Sequence, residues 1–182
     1  MTSVLFEKFF DDLLIAEGGY SNNLNDSGGE TRFGITEKVA RANGYEGLMK
    51  ELPVALAKKI YKAKYWDVLL LDEIRDDCPT LCLKLADIGV NLGVKQSAFF
   101  LQRLLNVMNN RGKLYPEIKV DGQIGPSTIS VLKKLLAIRG RDGERVLVRA
   151  LNCMQGMFYL SLAERREKDE AFIYGWFLNR VS

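Results

Sequence analysis

The sequence predicts a mainly α-helical protein with a glycine-rich loop or small β lobe in its first half and a helical second half. Three observations carry this. Apolar residues recur at three- and four-residue spacing through most of the chain. Pro53, Pro79 and Pro126 each stand where a new periodic segment begins, the place in a helix where a missing N–H does no harm. Residues 18–36 crowd together five glycines and three asparagines, which favour turns.

Residues 4–16 read as a helix whose stripe is Phe6, Phe9, Leu13 and Ala16, widened by Leu5, Phe10 and Leu14. It should stop at Gly18-Gly19. Within the glycine-rich stretch, RFGIT suits a short strand or a tight lobe. A short helix near 37–43 closes on Gly44, and another after Pro53 carries Ala57, Ile60, Tyr61 and Tyr65 on one face and runs to Trp66. Residues 79–91 read as a buried helix with Leu81, Leu85, Ile88 and Leu92 inward. Residues 96–110 form the next, through Phe99, Phe100, Arg103, Leu104, Val107 and Met108. After a Gly- and Pro-rich loop come helices at 126–138 and 144–163, separated by Gly140 and Gly143. The second carries Val146, Leu147, Leu151, Met154, Phe158 and Leu162, and a short aromatic helix ends the chain.

Composition narrows the chemistry. With 182 residues, 47% of them hydrophobic, the chain can bury a core as one domain or one domain with a small appendage. It has no histidine, which excludes Ser-His-Asp and Cys-His nucleophilic catalysis and histidine-ligated zinc. Cys78, Cys82 and Cys153 read as free thiols that mostly pack. Residues 1–91 hold 11 Lys/Arg against 15 Asp/Glu, a net −4, and residues 92–182 hold 15 against 8, a net +7. That asymmetry is either ordinary surface variation or an acidic part beside a basic part that faces an anionic polymer. The first residues lack a basic leader and carry Glu7, Asp11 and Asp12, so they read as a helix and not a signal peptide. No uninterrupted run approaches 18 apolar residues, and no stable membrane insertion is expected.

Glu17 ends the first helix with two glycines beside it. A carboxyl so placed can be partly desolvated and hold its proton, as a general acid must. Its bland alternative is a solvated helix-end glutamate. Asp26 lies nine residues later in the glycine-rich loop, where it is a second carboxylate or simply a turn former. Two carboxyl groups are the minimum equipment for cutting a glycosidic bond. Thr31 and Thr36 flank RFGI with hydroxyls, and Glu30 is a rival second carboxylate. Tyr20, Tyr65 and Trp66 are candidates for stacking on sugar faces, against the alternative that aromatics at helical spacing are core.

The run EGGYSNNLNDSGGETRFGIT resembles the signature of the phage-type N-acetylmuramidases of glycoside hydrolase family 108, proteins also labelled secretion activator protein or predicted lysozyme. The similarity lies in Glu17-Gly18-Gly19-Tyr20, Asn22, Asp26, Gly28, Gly29, Thr31 and Gly34-Ile35-Thr36, and continues in Tyr65-Trp66-Asp67 and in residues 87–93. One departure is Asp26-Ser27-Gly28-Gly29, where the family usually has proline after the aspartate; serine loosens the turn. In the second half, VDGQIGPSTISVL resembles the motif of a helical peptidoglycan-binding module, and FIYGWFLNR its closing segment.

The resemblance implies a lysozyme-like fold, with residues 1–95 as the catalytic part and 96–182 as a peptidoglycan-binding-like part, packed as one unit. It implies Glu17 as the catalytic acid. By analogy with phage lysozymes, Asp26 and Thr31 orient the attacking water in an inverting reaction, although the last gap is one residue shorter here. Tyr20, Asn22, Arg32, Thr36, Trp66 and Asn91 are implied in substrate contact, and Asp121, Gly122, Gly125, Thr128 and Trp176 in wall binding. The expected reaction is hydrolysis of the β-1,4 bond between N-acetylmuramic acid and N-acetylglucosamine. A lytic transglycosylase on the same bond and a non-catalytic wall-binding or secretion-helper protein are the alternatives. No cofactor and no metal are implied. The expected partner is the peptidoglycan glycan strand, with no nucleic acid, because the basic residues from Lys133 to Arg149 are scattered along helical faces. The chain is expected to be a monomer that is made in the cytoplasm, leaves through a holin-like partner and acts at the wall or in the periplasm.

Overall fold

The computed structural model describes residues 3–17, 19–21 and 29–181, with the side chains of Ala16 and Glu17 outside that description. The chain divides into two compact units, Met1–Asp67 and Val68–Ser182.

The first unit opens with helix α1 (Val4–Glu17), the length the apolar stripe specifies. Ser3 caps its first turn by accepting from the Phe6 N–H at 3.2 Å. Phe6, Phe9, Phe10 and Leu13 are buried. Strands β1 (Tyr20–Ser21), β2 (Thr31–Arg32) and β3 (Ile35–Thr36) form a three-stranded antiparallel sheet in that order. Helix α2 (Glu37–Ala42) starts at once, with the Thr36 hydroxyl accepting from the Val39 N–H at 3.4 Å. Helix α3 (Val54–Tyr61) buries Ala57, Ile60 and Tyr61 on the anticipated face. Pro53 caps it instead of occupying its first turn.

The segment after α3 departs from the regular helix that sequence periodicity extends to Trp66. Residues Lys62–Trp66 form a π-helical turn, in which the Asp67 N–H bonds the Lys62 carbonyl five residues back at 2.9 Å. The extra residue in the turn changes the direction of the side chains at its end relative to an α-helix. Trp66 is thereby fully buried, edge-on to Phe6 at 5.3 Å and tilted against Phe9 at 5.8 Å. Tyr61 meets Phe10 at 6.0 Å. These rings fasten α1 to α3, and the Glu7–Lys58 ion pair ties the same two helices at the surface.

The second unit is built on helices α4 (Pro79–Leu92), α5 (Val94–Val107), α6 (Pro126–Arg165) and α7 (Glu170–Arg180). Leu81, Leu85 and Ile88 of α4 are fully buried, as their spacing requires. Helix α5 ends earlier than expected because Asn110, Arg111 and Gly112 all take left-handed backbone angles. Its core face is Phe100, Leu101, Leu104 and Leu105, while Val107, placed inward by the sequence, is 78% exposed. Helix α6 is interrupted at Gly140, whose φ of 58° and ψ of −145° lie outside the helical region, so the expected break between two helices is present. Beyond the break the buried line is Leu147, Leu151, Gln155 and Tyr159, and Val146 is exposed.

The helix Pro126–Arg165 contains an 18-residue stretch apolar enough, by length and composition, to cross a membrane. An uninterrupted apolar run is absent because Arg149 and Asn152 punctuate the segment, yet its average is high. The helix packs against α4 and α5, buries Leu147, Leu151 and Tyr159, and carries a fully buried Gln155.

Candidate active site

The small sheet is organised by its register. Tyr20 pairs with Arg32 and Ser21 with Thr31; Thr31 pairs with Thr36 and Arg32 with Ile35. Neighbours along a strand face opposite sides. Ser21, Thr31 and Thr36 therefore form one cross-strand row of hydroxyls, and Tyr20, Arg32 and Ile35 form the other row. Directly paired Cβ atoms lie about 5 Å apart, so the hydroxyl row is continuous across the sheet.

The link between β2 and β3 is the two-residue turn Phe33-Gly34, with φ values of 53° and 70°. Two left-handed residues match the twist of a tight hairpin. Gly34 adopts this freely, whereas a phenylalanine is strained there by about 1–2 kcal/mol. Neighbouring groups hold it. The Tyr61 hydroxyl donates to the Phe33 carbonyl at 3.0 Å, and the Arg32 guanidinium lies 4.8 Å over the Phe33 ring. The Phe33 N–H also reaches the Gly19 carbonyl at 3.4 Å. Gly19 is two residues beyond Glu17, so the hairpin is bonded to the chain that leaves the C-terminal end of α1.

Of the candidate residues, Glu17 is the last residue of α1, and its side chain is outside the described residues. Asn22 and Asp26 also lie outside them. Thr31 is half-buried at the centre of the hydroxyl row. Thr36 is its neighbour and spends its oxygen capping α2. Tyr20 is 44% exposed, a ring within reach of a ligand. Arg32 is half-buried and faces Phe33. Glu30, the rival carboxylate, is half-buried, and its backbone carbonyl accepts from the Glu37 N–H at 2.9 Å. Trp66 is a correction: at 0% exposure it cannot stack on a sugar, because the π-helical turn carries it into the core.

In the second unit, Asn91 is absorbed into a polar network. Its amide donates to the Asp87 carboxylate at 2.9 Å and to the Asp87 carbonyl at 2.8 Å. Asp87 also receives Arg180 at 3.2 Å and Gln155 at 3.3 Å. Lys84, 7% exposed, donates to the Arg180 carbonyl at 2.6 Å. Burial holds the Lys84 ammonium below its ordinary value, and Asp87 pulls the other way. The network joins α4 and α6 to α7. It was not visible in the sequence, where Asp87 stood out only by resemblance.

The candidate wall-binding motif is likewise engaged internally. Its organiser is Gln102 of α5, 1% exposed and not singled out by the sequence. The Gln102 amide nitrogen donates to Asp121 at 3.0 Å, to the Gln123 carbonyl at 2.9 Å and to the Thr128 hydroxyl at 3.3 Å. Its oxygen accepts from the Gly122 N–H at 2.9 Å. The bonds from Gln102 and from the Gln123 N–H hold the Asp121 carboxyl below its ordinary value. Gly122 has a φ of 74°, and a Cβ there would lie 2.6 Å from the Lys95 side chain. Gly122 and Thr128 are buried, which corrects their assignment to wall contact: they lock the loop. Gly125 caps α6. Trp176 is half-buried between Tyr159 at 4.9 Å and Phe172 at 6.1 Å. The signal for Gln102 was a polar residue amid Phe99, Phe100, Leu101, Leu104 and Leu105.

The first unit thus joins the end of α1 to a small sheet with a row of hydroxyls, and the second unit is helical. Residues 10–93 match the family model described as "Glycosyl hydrolase 108", and residues 96–181 match the one described as "Predicted Peptidoglycan domain". Among solved structures, the chain resembles "Structure of Brucella abortus SagA" at 23% identity and a TM-score of 0.57, over 92% of this chain and 95% of that one. That likeness carries the fold. No curated protein matches the chain. The family boundary falls between residues 93 and 96, whereas the compact units meet at 67 and 68. Helix α4 thus lies within the glycosyl hydrolase 108 match by sequence and within the second unit by packing.

Proposed function

We propose that the protein hydrolyses the β-1,4 bond between N-acetylmuramic acid and N-acetylglucosamine, with residues 1–95 as the catalytic part and 96–182 as a wall-binding part. The observation that supports this best is the glycosyl hydrolase 108 match over residues 10–93, which contains the Glu17-Gly18-Gly19-Tyr20 run at the end of α1.

In this reading Glu17 donates its proton to the departing glycosidic oxygen as the C–O bond breaks. Asp26 accepts a proton from water on the opposite face of the sugar, and Thr31 holds that water by hydrogen bonding. Water attack on the face opposite the leaving group inverts the anomeric carbon, for which the two carboxyl groups must stand roughly 6.5–9.5 Å apart. Tyr20 offers its exposed ring to a sugar face, and Arg32, Asn22 and Thr36 complete the proposed substrate contacts.

Digestion of purified, borohydride-reduced peptidoglycan tests the reaction class. New reducing N-acetylmuramic acid ends are expected. Anhydro ends, one water lighter, would move the assignment to a lytic transglycosylase, and sedimentation with the wall without release would leave only a binding role. Proton NMR of the first product formed should show the α anomer; a β anomer would replace inversion by a retaining mechanism.

A further inference from the structure

We infer that the second unit carries a groove for an anionic amphiphile, and that its occupant is the phosphate-bearing surface of a lipid bilayer. The inference stands apart from the hydrolase reading, because it uses neither Glu17 nor any residue of the first unit.

The groove has a volume of about 430 Å³ and lies between α5 and the part of α6 beyond Gly140. Its apolar lining is Phe100, Met154, Met157 and Phe158, and its cations are Arg103 and Arg165. Phe100 and Phe158 meet edge-to-face at 6.2 Å and form a firm floor. The methionines are flexible and adapt to irregular apolar ligands. Met157 is 62% exposed, and Leu160, its neighbour along the helix, is 41% exposed.

The charges make the surface specific. Arg103 and Arg165 are exposed, and among the described residues neither forms an ion pair with a carboxylate. The Arg165 Nε is fixed on the Ser161 carbonyl at 2.7 Å, and the Arg103 guanidinium stands 5.7 Å from the Phe99 ring. Two uncompensated guanidinium groups beside an apolar floor suit a phosphate joined to an acyl chain. A glycan would leave the thioethers and rings without polar partners to match its hydroxyls.

A second observation comes from the helix itself. Its outward face carries apolar residues open to solvent: Val146 is 45%, Met157 62% and Leu160 41% exposed. The buried Gln155 and its bonds into the second unit fit a helix that stays packed and lies on a membrane surface.

Flotation of the full chain with equimolar phosphatidylglycerol and phosphatidylcholine vesicles, against phosphatidylcholine alone, tests the inference. Binding is expected to the anionic vesicles and to weaken with salt. R103Q/R165Q should bind about 25-fold more weakly, at roughly fivefold per arginine near an anionic surface. M157E should lose binding while keeping the wild-type melting temperature, since its side chain faces water. Failure of the wild type to float overturns the inference, as does binding that both variants retain. A dimer seen by sedimentation velocity that M157E dissolves would make the groove a self-association surface and overturn it equally.

Discussion

Replacing Gln102 by leucine removes an amide that makes four hydrogen bonds inside the second unit while keeping most of its volume. Three bonds run from its nitrogen to Asp121, the Gln123 carbonyl and Thr128, and one reaches its oxygen from the Gly122 N–H. An ordinary intramolecular hydrogen bond contributes about 1 kcal/mol net, and a buried donor left without a partner costs about 1–3 kcal/mol. The Asp121 carboxylate and Gln123 carbonyl can turn to water. The Gly122 N–H and the Thr128 hydroxyl are buried and cannot do so readily. Q102L should therefore lose about 3–5 kcal/mol. With a urea dependence of about 2.5 kcal/mol per molar, the midpoint of denaturation should fall by about 1–2 M. Hydrogen exchange gives the local readout: the Gly122 amide should be protected in the wild type and exchange with the opening of the loop in Q102L. A midpoint unchanged within about 0.3 M, with Gly122 still protected, would refute the claim that Gln102 organises this loop.

Three further outcomes are expected. W66A opens a cavity under Phe6 and Phe9 and should cost about 3–5 kcal/mol, lowering Tm by about 10 °C or more in calorimetry; a smaller loss would mean that Trp66 is not a core residue. A chromogenic disulfide should titrate one thiol per folded chain, Cys153, because Cys78 and Cys82 are buried and the Cys82 thiol is pushed up by its bond with Cys78 and then by burial; prompt reaction of three would contradict this packing. Burial raises the Tyr115 and Tyr159 phenols above 10.0, so the native state holds protons that the unfolded chain releases, and their contribution to stability falls as pH rises from 10.0 through their folded values. Absorbance titration should show these two ionising late, in step with alkaline unfolding.

Much of the fold was legible because single-helix rules governed it. The stripe of Phe6, Phe9 and Leu13 specified α1, and Pro79 and Pro126 marked true helix starts. Gly140 marked a true break, since only glycine takes its backbone angles without strain. RFGIT was readable as a lobe, and the Phe33-Gly34 turn explains why it is a hairpin. The misses share another cause. The burial of Trp66 depends on one extra residue in a helical turn, which no periodicity announces. Gln102 reaches Asp121 19 positions away and Asp87 reaches Arg180 93 positions away, so these roles exist only after folding. In the candidate site, the hydroxyl row was foreshadowed by Thr31 and Thr36, but its third member, Ser21, emerges from strand register.

If the proposed role of Glu17 as proton donor holds, removing its carboxyl must stop glycosidic cleavage without disturbing the fold. The most direct measurement compares wild type and E17Q on the same reduced peptidoglycan, with thermal melts and wall sedimentation on both proteins. Wild type should release reducing N-acetylmuramic acid ends, while E17Q, equally folded and equally bound to the wall, should release them at least about 100-fold more slowly. Release by folded E17Q at the wild-type rate would contradict it.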